Sequence, residues 1–251
     1  MKKLSFFSFI AALFFLTSCD TTREITIGTD GSGTMITTVD MSQMLGIAKM
    51  SGQGKEMEND KAMDTTISFA AMADSLSGIS ADEKALLKKG SMDVVMNMDE
   101  DKFMTKINFP FQKTADLTSL DKLSTRMVQE GLKKQASAKG GAPQGMPDDA
   151  MPQGSMDDYF VTTYTDGVIE RKLNKEKYAT VGDDKGMQAL KEVGDQGLPI
   201  NNKIILNLPR PAKKAEGAGV TLSEDKKKVT INTSISDFFD DAVKLEYRVE
   251  Y

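Results

Sequence analysis

Residues 159–173, YFVTTYTDGVIERKL, carry the clearest fold signal in this chain. Apolar and polar side chains alternate in Tyr159–Tyr164 and again in Val168–Leu173, and Thr165-Asp166-Gly167 separates the two runs. An Asp-Gly pair between alternating runs is the strongest short-range signal for a β-hairpin, since glycine readily adopts the positive φ of a tight turn. The stretch therefore predicts two antiparallel strands.

Two similar patterns lie nearer the N-terminus. In the first, Asp30-Gly31-Ser32-Gly33 separates Glu24–Ile27 from the β-branched run Thr34–Val39. In the second, Asp99-Glu100-Asp101-Lys102 separates Met92–Met98 from Phe103–Phe109. Both patterns predict hairpins. Further strands are predicted at Lys203–Leu208, Val220–Leu222, Lys228–Ser234 and Val243–Tyr251.

Amphipathic segments separate the hairpins. Ser80 and Glu83 have the spacing of a capping box for a helix that runs through Leu87. Shorter helices are predicted after Ser42 and at Lys185–Val193. Asp116–Lys134 predicts a longer helix, because its apolar residues form one stripe: Leu117, Leu120, Leu123, Met127, Val128 and Leu132. Together these elements predict an α+β fold, in which antiparallel β-hairpins form one or two curved sheets with inserted amphipathic helices.

Composition suggests where the chain is interrupted. Residues 51–64 are polar and predict a loop, and residues 135–157 are rich in Gly, Pro, Ala, Gln and Asp. A stretch such as 135–157 buries too little apolar surface to offset its ordering entropy, so it is predicted to be disordered. It separates an N-terminal α+β part, residues 19–134, from a β-rich part, residues 158–251, which we assign to the same domain.

The residue inventory restricts the chemistry. The 251 residues include no histidine and a single cysteine, so no nucleophile–histidine catalytic pair and no Cys/His zinc site can form. The formal net charge is −5. Such an acidic chain with no basic stripe in its sequence is not expected to bind nucleic acid. We predict no catalytic residues, no metal site and no cofactor, and we expect a protein that is not an enzyme.

The N-terminus has the charge order of a secretory signal. Lys2 and Lys3 precede the apolar run Phe6–Leu16, which is too short to span a membrane. The tetrad Leu16-Thr17-Ser18-Cys19 follows, and it resembles the lipobox of bacterial lipoproteins. That resemblance implies that residues 1–18 are a signal peptide and that Cys19 becomes the acylated N-terminus. Cleavage leaves 30 basic against 37 acidic residues, a net charge of −7.

The rest of the chain resembles uncharacterised envelope lipoproteins in the order of its elements. The resemblance implies an envelope lipoprotein without implying a chemistry. It rests on the first hairpin and on Ile107-Asn108-Phe109-Pro110-Phe111, Leu206-Asn207-Leu208-Pro209-Arg210-Pro211 and Leu245-Glu246-Tyr247. Asp20–Arg23 is interpreted as a short tether. The protein is expected in the cell envelope, attached to the inner or the outer membrane and facing the periplasm.

Three functions are compatible with these features. The first is a non-enzymatic binding or scaffold module that is held to a membrane leaflet through acylated Cys19 and contacts an unknown envelope protein. The alternative is a carrier of a lipid or other apolar ligand in a cavity between sheet and helices. A hydrolase that uses carboxylates alone ranks last, and it would need two carboxylates about 5–9 Å apart in a cleft.

Several local motifs have a functional and a structural interpretation. The residues around Asp30 look like the middle of a calcium loop, but the required acidic ligands are missing and we interpret them as a turn. Two acidic groups, Asp99-Glu100-Asp101 and Asp237/Asp240/Asp241, are interpreted as solvated charge. Met146, Met151 and Met156 could offer thioether ligands to Cu(I), without a histidine or cysteine to assist. Phe238-Phe239 and Phe109-Pro110-Phe111 fit either a core or the lining of an apolar cleft.

Overall fold

The computed structural model describes residues 20–40, 42, 62–76, 78–97, 99–124, 126, 155–195 and 201–251. Within these residues, twelve strands form an eight-stranded and a four-stranded sheet. The strands are β1 Asp20–Ile27, β2 Gly33–Asp40, β3 Ala62–Ser68, β4 Ser91–Asn97, β5 Lys102–Phe111, β6 Phe160–Thr165, β7 Val168–Leu173, β8 Asn201–Asn207, β9 Lys214–Glu216, β10 Val220–Leu222, β11 Lys228–Ser234 and β12 Tyr247–Glu250.

Short helices connect the strands. They are α1 Ala70–Ser75, α2 Ala81–Lys88, α3 over residues 116–124, α4 Lys175–Tyr178, α5 Lys185–Asp195 and α6 Ile235–Asp241. Three 3₁₀ turns, Met156–Tyr159, Val181–Asp183 and Ala242–Leu245, complete the described elements. The α+β class with mostly antiparallel sheets is thereby confirmed.

The larger sheet has the strand order β10-β11-β8-β1-β2-β5-β4-β3. The first two predicted hairpins are confirmed as the antiparallel pairs β1–β2 and β4–β5. One pair departs from the antiparallel prediction, because β8 runs parallel to β1 with Ile25 opposite Leu206. More than 170 residues separate these two strands, and a connection of that length allows either direction.

The third hairpin is confirmed as β6–β7 in the smaller sheet, whose order is β6-β7-β12-β9. Gly167 in its turn has a φ of 90°, the left-handed conformation that glycine adopts without steric cost. Side chains from both sheets enter one hydrophobic core, for example Ile25 and Phe109 from the larger sheet with Ile169 and Val249 from the smaller. Strands from residues 19–134 and 158–251 therefore share a single core.

The predicted helix stripe is confirmed where the structure describes it. Leu117, Leu120 and Leu123 are at most 2% exposed. Burial of a leucine side chain contributes roughly 1.5–3 kcal/mol. At the start of α2, the Ser80 hydroxyl accepts from the Glu83 amide at 3.2 Å and the Glu83 carboxylate accepts from the Ser80 amide at 2.8 Å. This confirms the capping box.

Four sequence-based boundaries are wrong. Asp20–Arg23 is not a tether, because β1 begins at Asp20 and pairs with β2 along its whole length. The predicted loop 51–64 is too long, since β3 begins at Ala62 and pairs with β4. Residues 242–245 form a 3₁₀ turn where a strand from Val243 was predicted. Helix α5 continues past Gly194 to Asp195.

The C-terminal limit of the predicted disordered loop 135–157 is also wrong. Ser155 caps the 3₁₀ turn Met156–Tyr159 through a capping box with Asp158. Asp157 in that turn forms an ion pair with Arg171 at 2.6 Å. Local composition could not show this partner. Residues 135–154, the helix predicted after Ser42, residues 127–134 and the signal peptide with Cys19 lie outside the described residues.

Candidate functional site

A polar cleft of about 490 Å³ lies where β1, β8 and β11 meet at one end of the larger sheet. Its register brings Asn202 of β8 opposite both Thr21 of β1 and Thr233 of β11. Most of the side chains in its lining end in an amide or a hydroxyl. The lining residues are Thr21, Thr22, Asn201, Asn202, Lys203, Asn232, Thr233, Ser234 and Asp237.

The cleft has unused hydrogen-bonding capacity. Within the described part of the chain, the side-chain amides of Asn201, Asn202 and Asn232 make no hydrogen bond. Each such amide offers two donors and one acceptor. Lys203 supplies the lining's one cation and Asp237 its one carboxylate. The cleft is therefore suited to a polar ligand without a large net charge.

Asp237 of the lining takes part in the N-terminal cap of α6. Ser234 is the N-cap of α6, and its hydroxyl accepts from the Asp237 amide at 3.1 Å. The same hydroxyl donates to the Asp237 carboxylate at 2.6 Å. The acidic group Asp237/Asp240/Asp241 thus contributes a capped helix, and Asp237 alone of the three lines the cleft.

The other proposed metal ligands are dispersed. Asp99 and Glu100 lie in the β4–β5 turn, where both amides donate to the Asn97 side chain at 3.0 and 3.3 Å. Asp30 accepts from the Ser32 amide and hydroxyl, which confirms a hairpin turn. Across the residues that the structure describes, no three acidic, histidine or cysteine side chains are close enough to hold a metal ion. Met156 packs against an aromatic cluster, and Met146 and Met151 lie outside those residues.

A charged network lies beside the cleft, between the two sheets. Arg23, two residues along β1 from Thr21, reaches Asp121 at 3.1 Å and Asp157 at 3.4 Å. Arg171 donates to Asp157 at 2.6 Å, and the Tyr164 hydroxyl donates to Asp121 at 2.6 Å. Two arginines face two aspartates, so the formal charges cancel. The network connects β1, α3, the Met156–Tyr159 turn and the smaller sheet.

The pKa values in this network follow from burial and from the paired charges. Burial by itself opposes ionisation of Asp157, but Arg171 and Arg23 outweigh it and hold the pKa of Asp157 at about 2. For Asp121, burial dominates and the pKa is raised despite the nearby Arg23. Burial and the carboxylate of Asp121 together raise the pKa of Tyr164 well above its ordinary value.

Carboxyl groups whose pKa values diverge are the pattern of an acid–base pair in hydrolases. Here both carboxylates are engaged by arginine or tyrosine donors, and neither Asp121 nor Asp157 lines the cleft. We therefore interpret the network as a structural connection between the sheets. The sequence offered no signal for it, because its members come from five separate segments.

The aromatic residues considered above as a possible cleft lining, Phe109 with Phe111 and Phe238 with Phe239, pack in or against two hydrophobic clusters. Phe109 and Phe111 are at most 1% exposed. Phe238 is 0% exposed and lies at the centre of an aromatic cluster, with its ring centroid 5.0–6.2 Å from those of Tyr159, Phe160, Tyr178 and Phe239. Packing at these distances leaves no room for a ligand beside Phe238.

No protein-family model and no curated protein matches this chain. Among solved structures, the chain is similar to the folded domain of the LppM protein of Mycobacterium tuberculosis, determined by NMR. The TM-score is 0.36 and the sequence identity is 10%, over 94% of this chain and 92% of that chain. Similarity at this level carries no argument about function.

The helices that the structure describes include none with the length and apolar content needed to cross a membrane.

Proposed function

We propose that this protein is a lipid-anchored, non-enzymatic binding module of the cell envelope, with the polar cleft as its ligand site. One observation carries the proposal: the cleft is built at the start of β1, which begins at Asp20, one residue after Cys19. Thr21 is separated from Cys19 by at most about 7 Å of extended chain. An acylated Cys19 would therefore hold the cleft close to the headgroups of its own membrane.

The lining favours a binding module over a lipid carrier. Amides and hydroxyls recognise sugars, peptide groups or polar headgroups, whereas an acyl chain needs an apolar wall. A nucleophile–histidine catalytic pair cannot form, because the chain contains no histidine. The single carboxylate of the cleft is bonded to its own helix cap. Binding is thus the activity that these groups support.

The first prediction concerns the anchor. We expect Cys19→Ser to leave the signal peptide uncleaved by the lipoprotein pathway and to remove the acyl chains. Several acyl chains make membrane attachment stable, because each buried CH₂ contributes about 0.8 kcal/mol. Fractionation of cells and mass spectrometry of the N-terminal peptide measure both effects. Ser18→Ala is the control, since it keeps the thiol and the small residue before it.

Normal processing together with full membrane retention of Cys19→Ser would contradict the lipid anchor. That result would not decide whether the cleft binds a ligand, which the next experiment measures separately.

The second prediction concerns the cleft. Asn201 and Asn232 line it and are both exposed, so a benzophenone amino acid at either position will not disturb the core. Irradiation of cells that carry the full-length protein is expected to give a discrete adduct at both positions. The adduct's mass identifies the ligand as glycan, protein or lipid. The control places the same amino acid at Glu176, which is exposed on α4 and is not among the lining residues.

Equal labelling at Glu176 and at the two cleft positions would refute a ligand site in the cleft. Adducts to acyl chains alone would favour the lipid carrier over the binding module.

A further inference from the structure

A basic surface lies at the end of the larger sheet opposite the polar cleft. Residues 208–228 contain six basic and three acidic residues, in a chain with a formal net charge of −5. The basic side chains come from two segments, the loop after β8 with the first residue of β9, and the β10–β11 turn with the first residue of β11. All six are exposed to solvent. We call them the distal basic surface: Arg210, Lys213, Lys214, Lys226, Lys227 and Lys228.

Backbone hydrogen bonds hold the two loops together. The amide of Leu208 donates to the Lys227 carbonyl at 2.7 Å, and the amide of Ala212 donates to the Lys226 carbonyl at 2.8 Å. The Lys213 amide donates to the carbonyl of Glu250 in β12 at 2.7 Å. The cationic side chains therefore extend from a fixed backbone, which lowers the entropy lost when they bind a partner.

The turn between β10 and β11 is fixed from within. The carboxylate of Asp225 accepts from the Ser223 hydroxyl at 2.6 Å and from the Lys227 amide at 3.0 Å. Lys226 has a φ of 56°, a conformation that this closed turn imposes. The turn thus places three successive lysines, Lys226, Lys227 and Lys228, where β10 ends and β11 begins.

Most acidic neighbours are already paired. Glu216 pairs with Lys214 at 2.8 Å, Asp166 with Arg210 at 3.6 Å, and Glu250 with Arg248 at 2.8 Å. In the turn itself, Asp225 accepts hydrogen bonds within its own loop. The side chains of Glu224 and Asp225 are both exposed beside the lysines. Four lysines make no ion pair with any described residue: Lys213, Lys226, Lys227 and Lys228.

The position of this surface is set by strand direction. Leu208 follows the end of β8, and β8 runs parallel to β1, whose start lies next to Cys19. A strand of eight residues spans about 26 Å. If Cys19 carries the anchor proposed above, the distal basic surface faces away from the anchoring leaflet. Because charges are screened beyond about 8 Å at physiological salt, the local excess of lysines governs binding there despite the acidic chain.

We propose that the distal basic surface binds a linear, phosphate-bearing polyanion other than nucleic acid in the compartment that the protein faces. The six residues of the surface include no aromatic side chain on which the bases of a single strand could stack. Lysine ammonium groups act as point charges and tolerate the variable geometry of such a polymer, whereas bidentate recognition of a single carboxylate or phosphate in a fixed geometry uses the planar fork of arginine. The surface is an exposed pair of loops, and protein–protein interface cores are depleted in lysine. Binding to an acidic protein or to an anionic bilayer instead of the phosphate polymer is a test result that would contradict the proposal.

The test uses the full chain, acylated and purified in a neutral detergent, and long-chain inorganic polyphosphate as the probe. Binding is measured by fluorescence anisotropy across a range of salt concentrations. We expect the slope of log K against log salt to become shallower by about 2 in the Lys213→Gln/Lys227→Gln/Lys228→Gln variant, because each phosphate contact on a flexible polyanion contributes about 0.7. We also expect affinity at 0.1 M salt to fall at least tenfold.

The matched control removes the same charge elsewhere. Lys102 and Lys106 are exposed on β5, and Lys89 is exposed just before β4. Their replacement by Gln is expected to change the slope by less than half as much. Circular dichroism confirms that each variant is folded.

Two outcomes would overturn the proposal. One is an equal loss of binding in both triple variants. The other is binding confined to polyglutamate or to phosphatidylglycerol vesicles, with none to polyphosphate. Neither outcome bears on the anchor at Cys19 or on the cross-linking at Asn201 and Asn232.

Discussion

Replacement of Arg171 by methionine is expected to lower the free energy of unfolding by about 3 kcal/mol, the lower end of the range for breaking a buried ion pair. The Arg171 side chain is 7% exposed, whereas that of Asp157 is 37% exposed and can regain some hydration. The guanidinium also lies 4.0 Å from the Phe160 ring centroid, and methionine retains part of that packing. Urea unfolding monitored by circular dichroism measures the change.

Two controls separate charge from packing. Lys172→Met, one residue along β7, removes a cation whose side chain is 66% exposed, and it should cost less than about 0.5 kcal/mol. Adding Asp157→Asn to Arg171→Met removes both charges of the broken pair and leaves Arg23 with Asp121. The double variant should recover about half of the loss. A cost below about 1 kcal/mol for Arg171→Met would contradict a stabilising network.

The hairpins could be predicted from the sequence because their determinants are local. Asp166-Gly167 and the residues 28–33 fix a turn and the register of both flanking strands within about fifteen residues. The pairing of β1 with β8 has no such local signal, since it joins strands from opposite ends of the chain. Strand β9 was missed because its three residues, Lys214-Ala215-Glu216, are types that are depleted in strands, unlike the Val220-Thr221-Leu222 of β10. Its pairing with β12 comes from the tertiary structure.

Asp157 shows why composition misjudged the end of the 135–157 loop. Its neighbours are Gly, Ser, Met and Asp, which favour disorder on average. The interactions that order it come from Arg23, 134 positions away, and from Arg171. A charge-assisted hydrogen bond to a buried arginine outweighs a weak local preference, and only the tertiary structure supplies that arginine.

The candidate sites also differ in whether their residues are contiguous in the sequence. The lipobox at Cys19 is contiguous, so the sequence alone predicts it. The polar cleft draws on residues 21–22, 201–203 and 232–237, and the distal basic surface on 210–214 and 226–228. Each of these segments is an ordinary polar stretch in isolation, because Asn, Thr and Lys at strand ends are common. Their function depends on a sheet order that no local pattern encodes.

Phe238→Ala is expected to lower the free energy of unfolding by about 3–5 kcal/mol, the usual cost of truncating a fully buried phenylalanine. Phe238 is 0% exposed, and its ring centroid lies 5.4 Å from that of Tyr178 and 5.6 Å from that of Tyr159. The resulting cavity removes the packing that holds α6, α4 and the Met156–Tyr159 turn together. Thermal or urea unfolding of the full-length protein measures the loss.

Phe239→Ala is the matched control, since Phe239 is the next residue on α6 and is only half-buried. We expect it to cost about 1 kcal/mol, because truncation there opens a space that water fills. The cluster also supports the cleft, since Asp237 in the cleft wall directly precedes Phe238 on α6. Phe238→Ala should therefore reduce cross-linking at Asn232 more than Phe239→Ala does, under conditions where both variants remain folded. Equal costs for the two alanine variants would show that Phe238 does not organise this cluster, and the cleft wall would then depend on the Ser234 cap and on β11 alone.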